Sequence, residues 1–182
     1  INTVGGTGTE AALQETLNFG EVEIDGIELD ILALVGETTT IGFNYVYLDG
    51  DLSDVIVPAE SVLNVPGTDI TDVTYLAQMP ENAYSLTLDH GFTVANMSLD
   101  AHLDYSYRDD VNSSAVLTPV GDLGLWNARL SWSDIALSDA TASVSVWVKN
   151  LTDEEEIVYD LAQSGNQFNT PRTYGVDFKL NF

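Results

Sequence analysis

Apolar and polar side chains alternate with a period of two along most of this chain, and that alternation limits its fold more than any other feature. From Asn96 to Arg108 one side carries Met97, Leu99, Ala101, Leu103, Tyr105 and Tyr107. The other carries Asn96, Ser98, Asp100, His102, Asp104, Ser106 and Arg108. Successive side chains of a strand point to opposite faces, so this segment is a strand with one apolar and one polar face. A strand buried on both faces would be apolar throughout.

Six further segments repeat the pattern. Around Glu21–Val35, Ile27, Leu29, Ile31, Ala33 and Val35 oppose Glu28 and Asp30. Along Thr38–Leu48, Ile41, Phe43, Tyr45 and Tyr47 oppose Thr40, Gly42 and Asn44. Tyr84, Leu86 and Leu88 oppose Ser85, Thr87 and Asp89 in Asn82–Asp89. Trp126, Ala128, Leu130 and Trp132 oppose Asn127, Arg129 and Ser131 in Gly124–Ser133. In Thr141–Lys149, Val144, Val146 and Val148 oppose Ser143, Ser145 and Lys149. In Thr173–Phe182, Tyr174, Val176, Phe178, Leu180 and Phe182 oppose Gly175, Asp177, Lys179 and Asn181. Helical spacing is scarce, and only Glu10–Leu17 fits a short helix.

The links between strands alternate in length. Gly36–Glu37, His90–Ala95 and Asp134–Ala140 are short, whereas Asp49–Glu81, Asp109–Leu123 and Asn150–Arg172 are long. Antiparallel strands with tight turns at one end and large loops at the other produce this order, which is the asymmetry of outer-membrane barrels. Strands of about ten residues suit a tilted crossing of lipid. Tyr45, Tyr47, Tyr105, Tyr107, Trp126 and Trp132, toward the strand ends, suit its interfaces. The expected fold is all-β, an antiparallel transmembrane barrel segment of seven or eight strands. The alternative is a soluble acidic β-sandwich binding carbohydrate or Ca²⁺, whose strands also alternate. Sandwich strands usually run to about five or six residues, and these are longer.

Charge narrows the partners. The 182 residues carry 29 acidic and 5 basic side chains, a formal net charge of −24. All five bases (Arg108, Arg129, Lys149, Arg172 and Lys179) lie at or beyond position 108. Phosphate binding requires lysine and arginine, so nucleic acid is excluded as a partner. Hydrophobic residues make up 45% of the chain, too many for a disordered acidic tail. With no cysteine, disulfide scaffolds and cysteine-ligated metals are excluded. The longest strongly apolar run, Ile31–Val35, is too short for a membrane helix. Ile1–Thr9 has neither an initiator Met nor a basic segment, so the chain reads as a mature piece or a fragment.

Several segments resemble one family. Val144-Ser-Val-Trp-Val-Lys-Asn-Leu-Thr-Asp153 is similar to the penultimate strand of TonB-dependent outer-membrane receptors, which runs into an Asn-Leu-(Thr/Phe)-Asp turn. Pro171-Arg-Thr-Tyr-Gly-Val176 resembles that family's entry to the closing strand, and Phe178-Lys-Leu-Asn-Phe182 its ending. Gly26-Ile-Glu-Leu-Asp30 resembles its Gly-Val-Glu-Leu-Glu strand, and Met79-Pro-Glu-Asn82 its proline-containing strand entry. The pieces occur in the family's order.

The resemblance implies a barrel of about 22 strands around a plug domain. Residues 1–182 would be its C-terminal portion, without the plug, the TonB box or the N-terminal barrel strands. It implies active transport in the outer membrane of a Gram-negative bacterium. The ligand would be a ferric siderophore, cobalamin or an oligosaccharide, with energy delivered by TonB through the plug. It implies no enzyme activity, no cofactor and no metal. The further partners would be outer-membrane lipid and the barrel-assembly machinery.

Site residues are assigned on that basis. Tyr174, Val176, Phe178, Leu180 and Phe182 resemble the assembly signal of outer-membrane proteins, read by strand pairing. Met97, Leu99, Leu103, Tyr105, Trp126, Leu130 and Trp132 are expected to face lipid. The loops at 49–81, 109–123 and 150–172 are the candidate ligand-binding surface, because loops on a rigid scaffold commonly carry binding. Asp49-Gly-Asp-Leu-Ser-Asp54 and Asp153-Glu-Glu-Glu156 are acidic, but the former misses the spacing of an EF-hand. Asp100, His102, Asp104 and Arg108 share one strand face, where a polar network is expected rather than catalysis. His90 is placed at a short turn, away from His102. Trp147 breaks alternation by standing on the polar face; it either meets a plug or fills space beside the next strand.

Overall fold

The computed structural model describes residues 2–4, 13–15, 20–61, 65–113, 119–160 and 165–182. Seven strands build one antiparallel sheet: β1 (Glu21–Val35), β2 (Thr39–Ser53), β3 (Asn82–Val94), β4 (Met97–Arg108), β5 (Leu123–Leu137), β6 (Ala140–Lys149) and β7 (Thr173–Asn181). Each pairs with its neighbours in sequence, so the sheet is a meander with β1 and β7 as open edges.

Register carries the alternation across the sheet. Leu99 lies opposite Trp132, Leu103 opposite Ala128 and Tyr105 opposite Trp126. Val144 then lies opposite both Trp132 and Phe178. Directly opposed residues share a face, so one face is apolar from β1 to β7 and the other is mostly polar, with Leu32, Leu34, Val46 and Leu125 among its exceptions. β4 has 12 residues. At ~3.4 Å per residue and a tilt of ~40° it rises roughly 30 Å, enough for an apolar band ~25 Å tall.

At one end the connections are tight. Ala95 and Asn96 link β3 to β4 with φ of 50° and 67°, both in the left-handed region that a type I′ hairpin needs. Gly36, at φ 67°, begins the turn from β1 to β2, and Ser138–Asp139 joins β5 to β6. Ser133 and Asp134 of β5 face the single residue Ser143 of β6, a bulge with Asp134 at φ 56°.

The sandwich alternative does not survive. No second sheet covers either face among the described residues. Of the buried apolar residues, Val55, Val57, Val111 and Val120 lie in the long connections and only Ala142 lies in the sheet.

Three boundaries and one element differ from the sequence expectation; β5 runs past Ser133 to Leu137, which shortens the expected link Asp134–Ala140 to Ser138–Asp139. β3 continues through His90 and Gly91 to Val94, because both residues have ladder partners, Ala101 and Asp100. β2 likewise runs past Leu48 to Ser53, paired with β1 along its whole length. Within the predicted helix Glu10–Leu17, Leu13–Glu15 is a short strand paired with Asn2–Val4. Eight residues are too few to offset helix nucleation without tertiary support. The rest of that segment lies outside the described residues.

Candidate functional site

On the polar face the side chains form a network that crosses strands. His102 Nδ1 lies 2.7 Å from Asp89 Oδ1, and its Nε2 lies 3.3 Å from Asp104 Oδ1. Asn127 Nδ2 donates to Asp104 Oδ2 at 2.6 Å. Arg129 of β5 reaches over β6 and donates from Nη2 to Asp177 Oδ2 of β7 at 2.7 Å. Ser145, opposite Asp177 in the ladder, is small, and its hydroxyl bonds that of Ser131 at 3.0 Å. Ser133 donates to Asp100 at 3.4 Å.

This network ties the polar face together across β3, β4, β5 and β7. Both ring nitrogens of His102 face carboxylates, and no hydroxyl bonds to it. A general base needs a nucleophile or water within reach, and this imidazole is already occupied. Arg108 keeps the register of the face it shares with Asp100, His102 and Asp104 but does not join their network. Its Nη1 donates to the backbone carbonyls of Asp109, at 2.9 Å, and Gly121, at 3.1 Å, which closes the base of a long loop. A cleft of about 370 Å³ lies along this face beside Asp104, Asn127, Arg129, Trp147, Lys149 and Asp177.

Trp147 fills space beside the next strand. It lies opposite Gly175 of β7, and a Cβ there would stand 2.5 Å from its Cζ2 and 2.8 Å from its Cε2. The indole covers the position where β7 has no side chain, a recognised means of shielding a strand glycine.

On the apolar face, Met97, Leu99, Leu103, Tyr105, Trp126, Leu130 and Trp132 fall on one side by register. Near the long-loop end an aromatic cluster forms: Tyr84 stacks on Tyr107 with centroids 5.0 Å apart, and Tyr105 meets Trp126 at 4.6 Å. Toward the tight turns, Phe92, Trp132 and Phe178 belong to one cross-sheet row through Leu99 and Val144. Tyr174, Val176, Phe178 and Leu180 lie on this face at the β7 edge by register, Tyr174 is 81% exposed, and Phe182 follows the last residue of the strand. His90 is in β3 and not at a turn, on the face opposite His102.

The three long connections meet at the other end of the sheet. Gln78 donates from its backbone N to Asn112 O at 2.9 Å and from Nε2 to Ser113 O at 3.3 Å. Ser113 Oγ contacts Asp160 O at 3.5 Å. Val111–Asn112 pairs with Pro119–Val120, and Ile157–Asp160 with Asn166–Phe168. Asp69 Oδ1 accepts from the Thr71 backbone N at 3.0 Å and its hydroxyl at 2.7 Å, and these donors hold the carboxyl below its ordinary pKa.

The Asn-Leu-Thr-Asp turn is the joint of this assembly. Asn150, buried and at φ 53°, donates from Nδ2 to Glu154 O at 2.8 Å and Thr170 O at 3.1 Å, and accepts from Glu154 N at 2.8 Å. Asp153 pairs with Arg172 at 3.0 Å. The motif therefore ties the exit of β6 to the entry of β7. The acidic stretch Asp49–Asp54 is mostly strand and forms no ion-binding loop. Among the described residues no cluster of three or more histidine or acidic side chains is arranged to hold a metal.

The loop valines and Asn169 were not individually legible beforehand. Asn169, whose side chain bonds Glu154 and Glu156, carries no sequence signal beyond lying in a long loop.

Comparison with known proteins matches this geometry. The chain is similar to BauA, the ferric preacinetobactin receptor from Acinetobacter baumannii, at 18% identity and a TM-score of 0.66, over 91% of this chain and 23% of that one. It is similar to the siderophore receptor PiuA from Acinetobacter baumannii, at 18% identity and a TM-score of 0.67, over 89% and 22%. The chain thus spans about a quarter of the length of these structures. No curated protein matches it. The family described as TonB dependent receptor-like, beta-barrel matches residues 1–151. With most of its length matched and its seven strands arranged as a barrel wall, the chain belongs to the β-barrel family of TonB-dependent receptors.

Proposed function

We propose that this chain is a section of the wall of an outer-membrane receptor that imports a scarce small molecule across the Gram-negative outer membrane. One observation carries the reading: the sheet divides into an apolar face with aromatic rows near both ends and a polar face braced by Asp89, His102, Asp104, Arg129 and Asp177. In a closed barrel, a face of the first kind meets lipid and one of the second kind lines the lumen. Met97, Leu99, Leu103, Tyr105, Trp126, Leu130 and Trp132 then face hydrocarbon. The joined long loops face outward and receive the ligand.

The chain serves as the C-terminal portion of a barrel of about 22 strands whose remaining strands and plug complete the receptor. The β7 residues Tyr174, Val176, Phe178, Leu180 and Phe182 present the strand edge that the assembly machinery pairs with. The cargo belongs to the class of ferric siderophores, since the similar structures are siderophore receptors; cobalamin and oligosaccharides are the other ligands of the resemblance. TonB supplies the energy through the plug. The chain itself does no chemistry.

Uptake of radiolabelled ferric siderophores by cells with and without the gene tests this reading. Uptake that needs the gene and stops with a protonophore is expected. A protein found soluble without detergent would overturn the proposal.

A further inference from the structure

Toward the long connections, the two faces of the β1–β2 hairpin exchange character. Beyond Ile27 and Tyr47 the outer side, which carries them, continues as Glu21, Glu23 and Asp25 of β1 opposite Ser53, Asp51 and Asp49 of β2. The inner side becomes apolar, with Val22 opposite Leu52, Ile24 opposite Gly50 and Gly26 opposite Leu48. Carboxylates on the outer side place this part of the hairpin beyond the hydrocarbon. An apolar strip on the inner side needs a cover other than lipid.

The first long connection supplies that cover. A Cβ at Gly50 would meet Met79 Cε and stand 2.5 Å from Leu76 Cδ1 and 3.1 Å from Met79 Sδ. Leu76 and Met79 therefore rest on β2 where it has no side chain, and both are partly buried. Just beyond them, Leu48 N donates to Glu81 O at 2.9 Å. Between the two anchors stands Gln78 at φ 57°, a left-handed backbone that a glutamine keeps only where its surroundings hold it. Its backbone N and Nε2 donate to the carbonyls of Asn112 and Ser113, and Ala77 bridges to Asn112. The second connection in turn abuts the third. Pro119–Val120 lies beside Ile157–Asp160, and a Cβ at Gly121 would stand 3.3 Å from Glu156 Oε2. Val111, Ser113 and Val120 are buried in this packing.

We propose that Leu76–Met79 is a strap, seated on Gly50, that holds the three long connections as one unit. Unseating it loosens the second and third connections together with the first, although neither touches Gly50. The residues act in series: Leu76 and Met79 fix the strap to β2, Gln78 passes its position to Asn112 and Ser113, and the second connection passes it to the third. The coupling follows from these contacts alone. That the strap reaches inward over a barrel mouth rests on the sheet being the wall of an outer-membrane receptor.

The test is hydrogen exchange of the full-length protein in mild detergent, read by mass spectrometry over peptides from each connection. Two variants unseat the strap from opposite sides. Gly50→Val fills the seat with a residue that suits a strand, and Leu76→Ala with Met79→Ala empties it without touching β2. Each should raise exchange roughly tenfold at Val111–Asn112 and Ile157–Asp160, as at Leu76–Met79, while β4 and β5 keep their protection. Gly50→Val combined with Met79→Ala exchanges volume across the seat and should recover most of the protection. Exchange that rises only at Leu76–Met79, or that rises equally in β4 and β5, overturns the proposal. Heat-modifiable migration of the same samples separates the two levels. A folded barrel whose second and third connections stay protected defeats the strap alone; a protein that is not a membrane barrel defeats the receptor, and the exchange result still decides the coupling.

Discussion

Trp147 and Gly175 face each other on neighbouring strands, and the indole occupies the volume that a side chain at 175 would need. A tryptophan on a polar face is an exception to alternation, and this partner explains it. Gly175→Ala would set a Cβ 2.5 Å from the Trp147 ring and force the indole to move. The expected loss is about 1–3 kcal/mol in urea unfolding of the lipid-reconstituted protein. Adding Trp147→Ala removes the clash, so the double variant should fall short of the summed single effects.

Asn150 combines a left-handed backbone with three side-chain hydrogen bonds. Asn150→Ala leaves the Glu154 and Thr170 groups without these partners, a loss of about 1–3 kcal/mol. Asn150→Gly keeps the backbone freedom and removes only the hydrogen bonds, so it should be the milder of the two. Limited proteolysis of the 150–172 connection checks the order, with faster cleavage in the alanine variant.

Val55 and Val57 are 1% and 2% exposed although they lie in a long connection. Burying them gives that connection a small apolar core of its own. Val55→Ala should cost roughly 1.5–2.5 kcal/mol of local stability. Hydrogen exchange should then rise at Ile56, Val57 and Ile70, while β4 and β5 keep their protection. Equal loss in those strands would show that the loop and the sheet are one cooperative unit.

Asp69 gives a pH dependence. Its folded pKa is lowered, first by the Thr71 backbone N–H and then by the Thr71 hydroxyl. Its contribution is therefore fully present above the unfolded value of about 3.9 and is lost as pH falls through the lowered folded value. Exchange protection of the Thr71 amide should persist at neutral pH and decline on strong acidification. In Asp69→Asn that decline should be absent.

Much of the sheet was legible because period-two alternation depends only on local order, and all seven strands were identifiable from it. Strand ends were less so: His90 and Gly91 look like turn residues, yet Ala101 and Asp100 pair with them across the hairpin. Arg108 shows the same limit. Its position on the polar face was readable, but its engagement with Asp109 and Gly121 depends on how a loop folds back. The burial of Val55 and Val111 also arises from tertiary contact, which no periodicity encodes. The Asn-Leu-Thr-Asp turn was visible as a motif, and its role as a joint became visible only with Thr170 and Arg172 beside it.

The central claim is that one face of this sheet meets lipid and the other an aqueous lumen. The chain has no cysteine, so single cysteines at Leu99, Asp100, Ala101, His102, Leu103 and Asp104, spin-labelled in the full-length protein in lipid bilayers, report each face separately. Collision with oxygen should dominate at 99, 101 and 103, and collision with a water-soluble nickel chelate at 100, 102 and 104. Equal access at consecutive positions, or nickel access at 99, 101 and 103, would contradict the account.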